Sequence, residues 1–584
     1  MSLARLMKFR EVFLLLGAAL MAVLFWCVSP DVDKVVLHRQ GVASETELPI
    51  SLPMNEGEPF FVEMDIAPGA GSNFALDIHP DDCVTDLRVN GVRLPYRDYP
   101  GYCSWNQGFI LDKAEILKHL GKESSRYHIE ISMHNNGGLG GVNAVLKASG
   151  FLMSLLTVLF FLCVGGILFS VGARFNIDRR LLLVFFLGLL LRVGYTQATF
   201  YDERGHDVGG HVHYMKIIAE DHHLPASNEC WTCYHPPVYY IASAGVWNAS
   251  KWLGFAPQNA VKWFDFLMSL VALGFGLACI RELLWGKPRY IAALLWSLWP
   301  SFILASPRIG NDILFYAMHA VTMWGCLRYI RTSAGKYLLT AIVAAALAYW
   351  TKSTGAIAFG LVGVTVLVHT LPRVLHRLSR MEWASLAVLL VVGIIVIVRV
   401  LGGDIVANAG GNDNTVLVQN NPGNFMFFDI RTFLTQPYTD PWHDELGRQF
   451  FWNYLAKTSL FGEFKLWMAP AGQWLACIAS LCFVLLAGFT FAGVWRKKWN
   501  KVDFVLITQA VAFFAAMIVL RLKYPFSCSN DFRYIVPVLL CVLPYTAEGI
   551  SGDGTSVKRR VCGWITVFVF VISTSVVVLN ACAR

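Results

Sequence analysis

Apolar stretches of the length needed to cross a hydrocarbon core of about 30 Å recur from Val12 to the end of the chain. Thirteen are read as spans: Val12–Val28, Phe151–Val171, Leu181–Thr199, Val261–Ile280, Ile291–Ala305, Ile313–Arg328, Leu338–Trp350, Ala356–Leu371, Trp383–Leu401, Trp474–Val494, Phe504–Leu520, Val536–Tyr545 and Val561–Leu579. Three large polar segments interrupt them, roughly 30–149, 200–260 and 402–472. Within 31–148 the pattern changes to short alternating runs, Phe60–Val62, Phe74–Ile78, Leu87–Val89 and Tyr127–Ile131, broken by Gly, Pro and Asn. That pattern predicts an all-β domain, with Asp86 to Pro95 ("DLRVNGVRLP") as a tight Asn-Gly hairpin and Tyr127 to Gly138 as a late strand entering a glycine turn. The expected organisation is an N-terminal anchor over 1–29, a β-sandwich over 30–149 and a multi-span domain over 150–584, with 402–450 the most loop-like region.

Composition agrees with a polytopic α-helical membrane protein. Of 584 residues 55% are hydrophobic and 15% charged, with a mean hydropathy of +0.50, against about 25% charged in a soluble domain. The first span reads as a retained anchor, because no small-residue cleavage site follows Pro30. The net charge of +8 lies in short loops: Arg5, Lys8 and Arg10; Arg174, Arg179 and Arg180; Lys287 and Arg289; Arg328, Arg331 and Lys336; Arg373, Arg377 and Arg380; Arg496 to Lys501; and Lys558 to Arg560. Basic residues are retained on the cytoplasmic side, so these clusters predict a cytoplasmic N-terminus, a C-terminus outside, and all three large segments outside. They account for the charge without a nucleic-acid partner, for which there is no motif. Most of the fourteen Cys fall within apolar spans. In the outer segments Cys83 with Cys103, and Cys230 with Cys233, are disulfide candidates, and no second ligand pair suggests zinc.

The densest group of ionisable residues follows the third span, from Phe200 to Pro225 ("FYDERGHDVGGHVHYMKIIAEDHHLP"). It contains Asp202, Glu203, Asp207, His206, His211 and His213, with His211, Tyr214 and Ile218 on one face of an expected surface helix. A carboxylate there can take a proton from a hydroxyl acceptor. The bland alternative is a solvated polar loop, which is the better reading for His213 and Glu220 taken singly. A divalent cation is the one cofactor considered, since Asp207 and His211 at i and i+4 can ligate one; no metal ligand set is assigned.

These features resemble the C-type glycosyltransferases, in particular protein O-mannosyltransferases and bacterial polyprenyl-phosphate sugar transferases. The resemblance rests on an acidic motif after a span, then His, Tyr, Leu224-Pro225 and His235-Pro236-Pro237, and extends in scattered motifs over roughly 180–550. Two registers compete for the base: Asp202-Glu203, or Asp207-x3-His211-x2-Tyr214, which also aligns the later motifs but has Val208 where many relatives carry Glu. "SPRIGND" (Ser306 to Asp312) resembles the second external loop of the family and adds Asn311 and Asp312; "YWTKST" (Tyr349 to Thr354) resembles its Lys-bearing turn and adds Lys352. "RLKYPFSCSNDFRYIVP" (Arg521 to Pro537) places Arg521, Lys523, Asp531 and Arg533 outside, against the positive-inside trend, and "NDFRY" resembles the Arg-Tyr motif that meets carrier phosphate. "SLFGEF" (Ser459 to Phe464) also looks familial, without a role.

The resemblance implies an inverting membrane glycosyltransferase of the bacterial inner membrane acting in cell-envelope glycan assembly. Its active site would face the periplasm and take a hexosyl or mannosyl group from a polyprenyl-phosphate sugar to a glycan, lipid or protein acceptor. Asp207, Asp202 and Glu203 are the candidate catalytic acids. His206, His211, Tyr214, His235, Asn311, Asp312, Lys352, Arg533, Lys523 and Asp531 are candidate substrate ligands. The β-domain phrases resemble galactose-binding-like jelly rolls, which implies glycan binding against a purely structural lid. The rivals are a glycolipid transporter or flippase, disfavoured because the two halves of the chain show no similarity, and a non-catalytic glycan-binding assembly factor.

Overall fold

The computed structural model describes residues 9–582 apart from 47, 49, 70–72, 100, 104–107, 138, 150, 200, 202–204, 377, 402–419, 439–449, 464–469 and 526–528. The chain forms two compact units, dividing at Leu182.

The first unit contains ten strands: β1 (Asp31–Arg39), β2 (Val42–Glu45), β3 (Ile50–Pro53), β4 (Pro59–Ala67), β5 (Asn73–Pro80), β6 (Val84–Val89), β7 (Val92–Arg93), β8 (Phe109–Asp112), β9 (Tyr127–His134) and β10 (Leu139–Ser149). They pair antiparallel in a six-stranded sheet, β2-β1-β4-β9-β6-β7, and a four-stranded sheet, β3-β10-β5-β8. Alternation along β4 and β9 buries Val62, Met64, Ile66, Ile129, Ile131 and Met133 in one core with Leu76, Ile78 and Leu111 of the other sheet. The expected hairpin is present: Val89 pairs with Val92 across Asn90 (φ 49°) and Gly91 (φ 78°), both left-handed as a two-residue turn requires. Cys83 is joined to Cys103.

Two helices complete this unit, Phe9–Val28 and Phe151–Arg174, packed on each other. Their polar link is Glu11, fully buried, which accepts from Ser170 Oγ and pairs with Arg174 Nη2 at 2.7 Å. A buried carboxylate needs such a partner, and here it joins the first apolar helix to the second. The sequence pattern groups 151–174 with the later spans; in the structure it belongs to the compact unit of the β-domain.

The predicted spans fall mainly on helix, but Ile291–Ala305 is broken at Leu298-Trp299 into helices Gly286–Ser297 and Pro300–Leu304, and Val536–Tyr545 opens in a 3-10 turn. Eight helices among the described residues are long and apolar enough to cross a membrane: Leu152–Arg174, Arg179–Ala198, Pro257–Leu283, Ser353–Val374, Arg380–Val398, Pro470–Arg496, Lys501–Lys523 and Val557–Leu579. The protein is thus a polytopic helical membrane protein with an all-β domain. Glycines set the closest approach in the second unit. A Cβ on Gly493 would lie 1.9 Å from Tyr545 O, and one on Gly549 would lie 1.9 Å from Phe489 O, so helices Pro470–Arg496 and Leu539–Ser551 touch backbone to backbone.

Candidate active site

The site is built in the second unit from the ends of its helices. Lys262 Nζ donates to Thr196 O and Thr199 O, both at 3.0 Å, and so ties down the chain where helix Arg179–Ala198 ends. Helix Val208–Glu220 then starts at Asp207, whose backbone is left-handed (φ 54°). His211 and Tyr214 face inward, three residues apart on one side of the helix. His211 Nδ1 lies 2.7 Å from Tyr240 Oη, the Tyr214 ring stacks on Tyr240 at 3.8 Å, and Tyr214 Oη donates to His235 O at 3.3 Å. Cys230 is joined to Cys233, and between them Trp231 Nε1 donates to the exposed Asp207 carboxylate at 3.3 Å.

A second group comes from the segment before helix Asp312–Thr332. Tyr239 Oη donates to Asp265 Oδ2 at 2.8 Å and accepts the Gly310 N–H at 2.9 Å, which anchors the loop to helix Pro257–Leu283. Asp312, one residue beyond Asn311, forms an ion pair with Lys352, which follows helix Gly335–Thr351. Lys352 Nζ also stands 4.7 Å over the Tyr534 ring, and Arg533 Nη2 donates to Tyr534 Oη at 3.0 Å. Asp531 caps this turn by accepting the Arg533 N–H at 2.9 Å, and Tyr316 Oη donates to Arg533 O.

A third strand of the site is Glu463, at the end of helix Phe451–Phe461. Its Oε1 accepts from Tyr454 Oη at 2.6 Å, while Oε2 lies 3.2 Å from His206 Nδ1. Next to it Gly462 (φ 71°) passes under Arg308; a Cβ there would meet the guanidinium at 3.0 Å. His206, His211, Arg308, Asp312, Tyr316 and Arg533 line a cleft with about 20 Å³ of room. That is enough for a single water. A sugar phosphate can occupy it only if lining side chains move.

Burial dominates the electrostatics. It drives His206 well below its ordinary value, with Arg533, Arg308 and Lys352 adding to the effect. It pushes His211 down to about 4, although Asp207 and Asp312 oppose it. His235 is likewise held neutral by burial, then by His211. Asp531 goes the other way, up to about 7, through burial and the neighbouring Glu463. The cleft therefore has neutral imidazoles beside the cations Arg308, Lys352 and Arg533, an arrangement suited to an anion.

Of the predicted residues, His206, His211, Asp312 and Arg533 line this cleft, with Lys352 and Asp531 in contact with them. Tyr214 and His235 support the layer behind His211. Asn311 is buried at the start of helix Asp312–Thr332. Asp207 is turned toward Trp231, and His211 toward Tyr240. Lys523 is exposed at the end of its helix, against the Tyr524 ring at 5.3 Å. Asp202 and Glu203 lie outside the described residues. Arg308 and Glu463 lie within the quoted motifs "SPRIGND" and "SLFGEF" but are not named as site residues from the sequence. Arg308 is a cation in an outer loop, the same signal that marks Arg533, whereas no local spacing links Glu463 to the site.

Residues 235–400 match the family model for dolichyl-phosphate-mannose-protein mannosyltransferase. None of the curated protein sequences matches the chain. Among solved structures, ArnT from Cupriavidus metallidurans bound to undecaprenyl phosphate gives a TM-score of 0.43 at 12% identity, over 68% of this chain and 76% of that one. The arabinofuranosyltransferase AftD from mycobacteria gives 0.41 at 16% identity, over 68% and 26%, and the oligosaccharyltransferase of Archaeoglobus fulgidus gives 0.40 at 13% identity, over 69% and 56%. The chain spans about a quarter of the second and just over half of the third. These values are too low for a shared function to follow. The matched family segment contains His235, Asn311, Asp312 and Lys352, together with Arg308 and Tyr316 of the cleft lining. The chain is therefore similar to the dolichyl-phosphate-mannose-protein mannosyltransferases, and its sequence resemblance to C-type glycosyltransferases stands on that match.

Proposed function

We propose that the protein is an inverting glycosyltransferase that takes a sugar from a polyprenyl-phosphate donor on the non-cytoplasmic face of the membrane. The observation that supports this best is the convergence of Arg308 and Arg533 on one small cleft at helix ends, with Lys352 paired to Asp312 in its wall, beside neutral His206 and His211. The basic loops at the opposite helix ends support a cytoplasmic N-terminus and a periplasmic site in a bacterial inner membrane.

In this reading Arg533 and Lys352 hold the carrier phosphate, with Arg308 beside them. Asp207, or an acid of the Asp202-Glu203 pair, takes the proton from the acceptor hydroxyl. The acceptor oxygen forms its bond to the anomeric carbon on the face opposite the bond to phosphate, which breaks, and polyprenyl phosphate leaves with its charge already matched by the fixed cations. Inversion follows from a single displacement. The sugar is a hexose such as mannose, and the acceptor a glycan, lipid or protein of the cell envelope.

The test is transfer of radiolabelled sugar from a panel of polyprenyl-phosphate sugars in proteoliposomes, with Asp207→Asn, Asp202→Asn and Arg533→Ala beside wild type at matched expression. Loss of the chemical step in one Asp variant identifies the base. Retained anomeric configuration in the product, or unimpaired transfer by all three variants, overturns the mechanism.

A further inference from the structure

Three side chains from distant parts of the second unit converge at the inner edge of the cleft: His206 after the first polar loop, Glu463 after helix Phe451–Phe461, and Asp531 before the turn Phe532–Tyr534. Each offers one ligand atom, and these atoms lie within 4.8 Å of one another. Glu463 and Asp531 are each only 1% exposed.

The arrangement within the group is directional. Each carboxylate has one oxygen held by an outside donor: Glu463 Oε1 by Tyr454 Oη at 2.6 Å, Asp531 Oδ1 by the Arg533 N–H at 2.9 Å. The second oxygen of each faces His206 from a different edge of the ring, Glu463 Oε2 at 3.2 Å from Nδ1 and Asp531 Oδ2 at 3.8 Å from Nε2, and a single ion would take one of these two nitrogens. Asp531 Oδ2 is buried and accepts no hydrogen bond among the described residues. Its contact to Arg533 Nε is 3.5 Å, long for a strong hydrogen bond. Orienting one carboxylate oxygen by an outer donor while the other points inward is how metal ligands are fixed. Two carboxyl groups and a neutral imidazole make a set of one nitrogen and two oxygens that suits Mn²⁺ or Zn²⁺, with Arg533 already beside Asp531. Three ligand atoms bound at about 2.1 Å to one ion lie about 3.4–3.6 Å from one another, so closing the group from within 4.8 Å needs shifts of about 1 Å.

We propose that His206, Glu463 and Asp531 bind one divalent cation, Mn²⁺ or Zn²⁺, which ties the three polar segments together beside the cationic cleft. The ion is distinct from one held by Asp207 and His211, whose side chains are turned to Trp231 and Tyr240.

The full chain, purified in detergent and stripped with chelator, should be titrated calorimetrically with Mn²⁺ and with Zn²⁺ alone, and its retained metal counted by elemental analysis. Expected is about one saturable equivalent per chain, with a raised unfolding midpoint on binding. The equivalent should be lost in Glu463→Gln and in Asp531→Asn. His206→Gln, which removes no buried charge, serves as a third variant where either of those misfolds. No saturable binding by wild type, or binding unchanged in the variants that fold, overturns the proposal. The readout is binding, so it stands or falls separately from sugar transfer.

Discussion

Lys352 and Asp312 form an ion pair at the point where helix Gly335–Thr351 ends and helix Asp312–Thr332 begins, with Lys352 only 7% exposed. Breaking one side of a buried pair leaves an uncompensated charge, which costs about 3–5 kcal/mol. Asp312→Asn should therefore lower the unfolding midpoint clearly in detergent, and Asp312→Asn with Lys352→Met should recover part of the loss. If the double variant is no better than the single one, the pair does not set local stability.

Arg533 should be needed as a forked cation and not merely as a charge. Its Nη2 is committed to Tyr534 Oη while its backbone N–H is held by Asp531, so the guanidinium is aimed before any anion arrives. Arg533→Ala should reduce transfer by about 100-fold. Arg533→Lys should fall between the two, with the donor KM raised more than kcat is lowered. Steady-state kinetics against donor concentration separate these effects.

Acid should destabilise the second unit through His211. Burial depresses this imidazole from 6.5 to about 4 in the fold, against the push of Asp207 and Asp312 and with that of Lys352 and Arg533. A depressed base is neutral in the native state while the unfolded chain takes up the proton. Its contribution is intact above pH 6.5 and is lost as pH falls from there toward about 4. The unfolding midpoint should decline through that window, and His211→Gln should make the decline shallower without abolishing it, because His235 is buried neutral as well.

The β-domain offers a separate test. Gly91 sits at φ 78°, and a Cβ added there would have nothing within 4 Å, so Gly91→Ala adds backbone strain and no clash. A left-handed non-glycine residue costs about 1–2 kcal/mol. The change should lower the domain's own unfolding midpoint and leave sugar transfer unaltered.

The membrane architecture and the β-domain were legible in the sequence because both depend on local periodicity: the apolar runs became helix, with Ile291–Ala305 broken before Pro300, and Asn90-Gly91 became the expected turn. The two Cys pairs also followed from their shared segments. The cleft was only partly legible. Asp312 and Lys352 were picked out by motifs that resemble those of the C-type glycosyltransferases, and Arg533 by such a motif and as a cation against the positive-inside trend, but which charges meet depends on tertiary packing. Glu463 reaches His206 across more than 250 residues of sequence, and no local pattern records that distance. Asp207 was favoured on its spacing to His211 and Tyr214; in the structure it starts that helix in left-handed backbone and its carboxylate accepts from Trp231 Nε1, a contact no spacing signals.

The 20 Å³ cleft has a thermodynamic consequence for any donor. If the anion-ready cations are present only behind side chains that must swing away, the measured dissociation constant is the intrinsic one divided by the fraction of molecules already open. Substitutions that loosen the lining without touching a cation, such as Tyr316→Phe, which frees the turn carrying Arg533, would then tighten donor binding while lowering stability. Affinity and stability in this protein would be opposite readings of a single opening equilibrium.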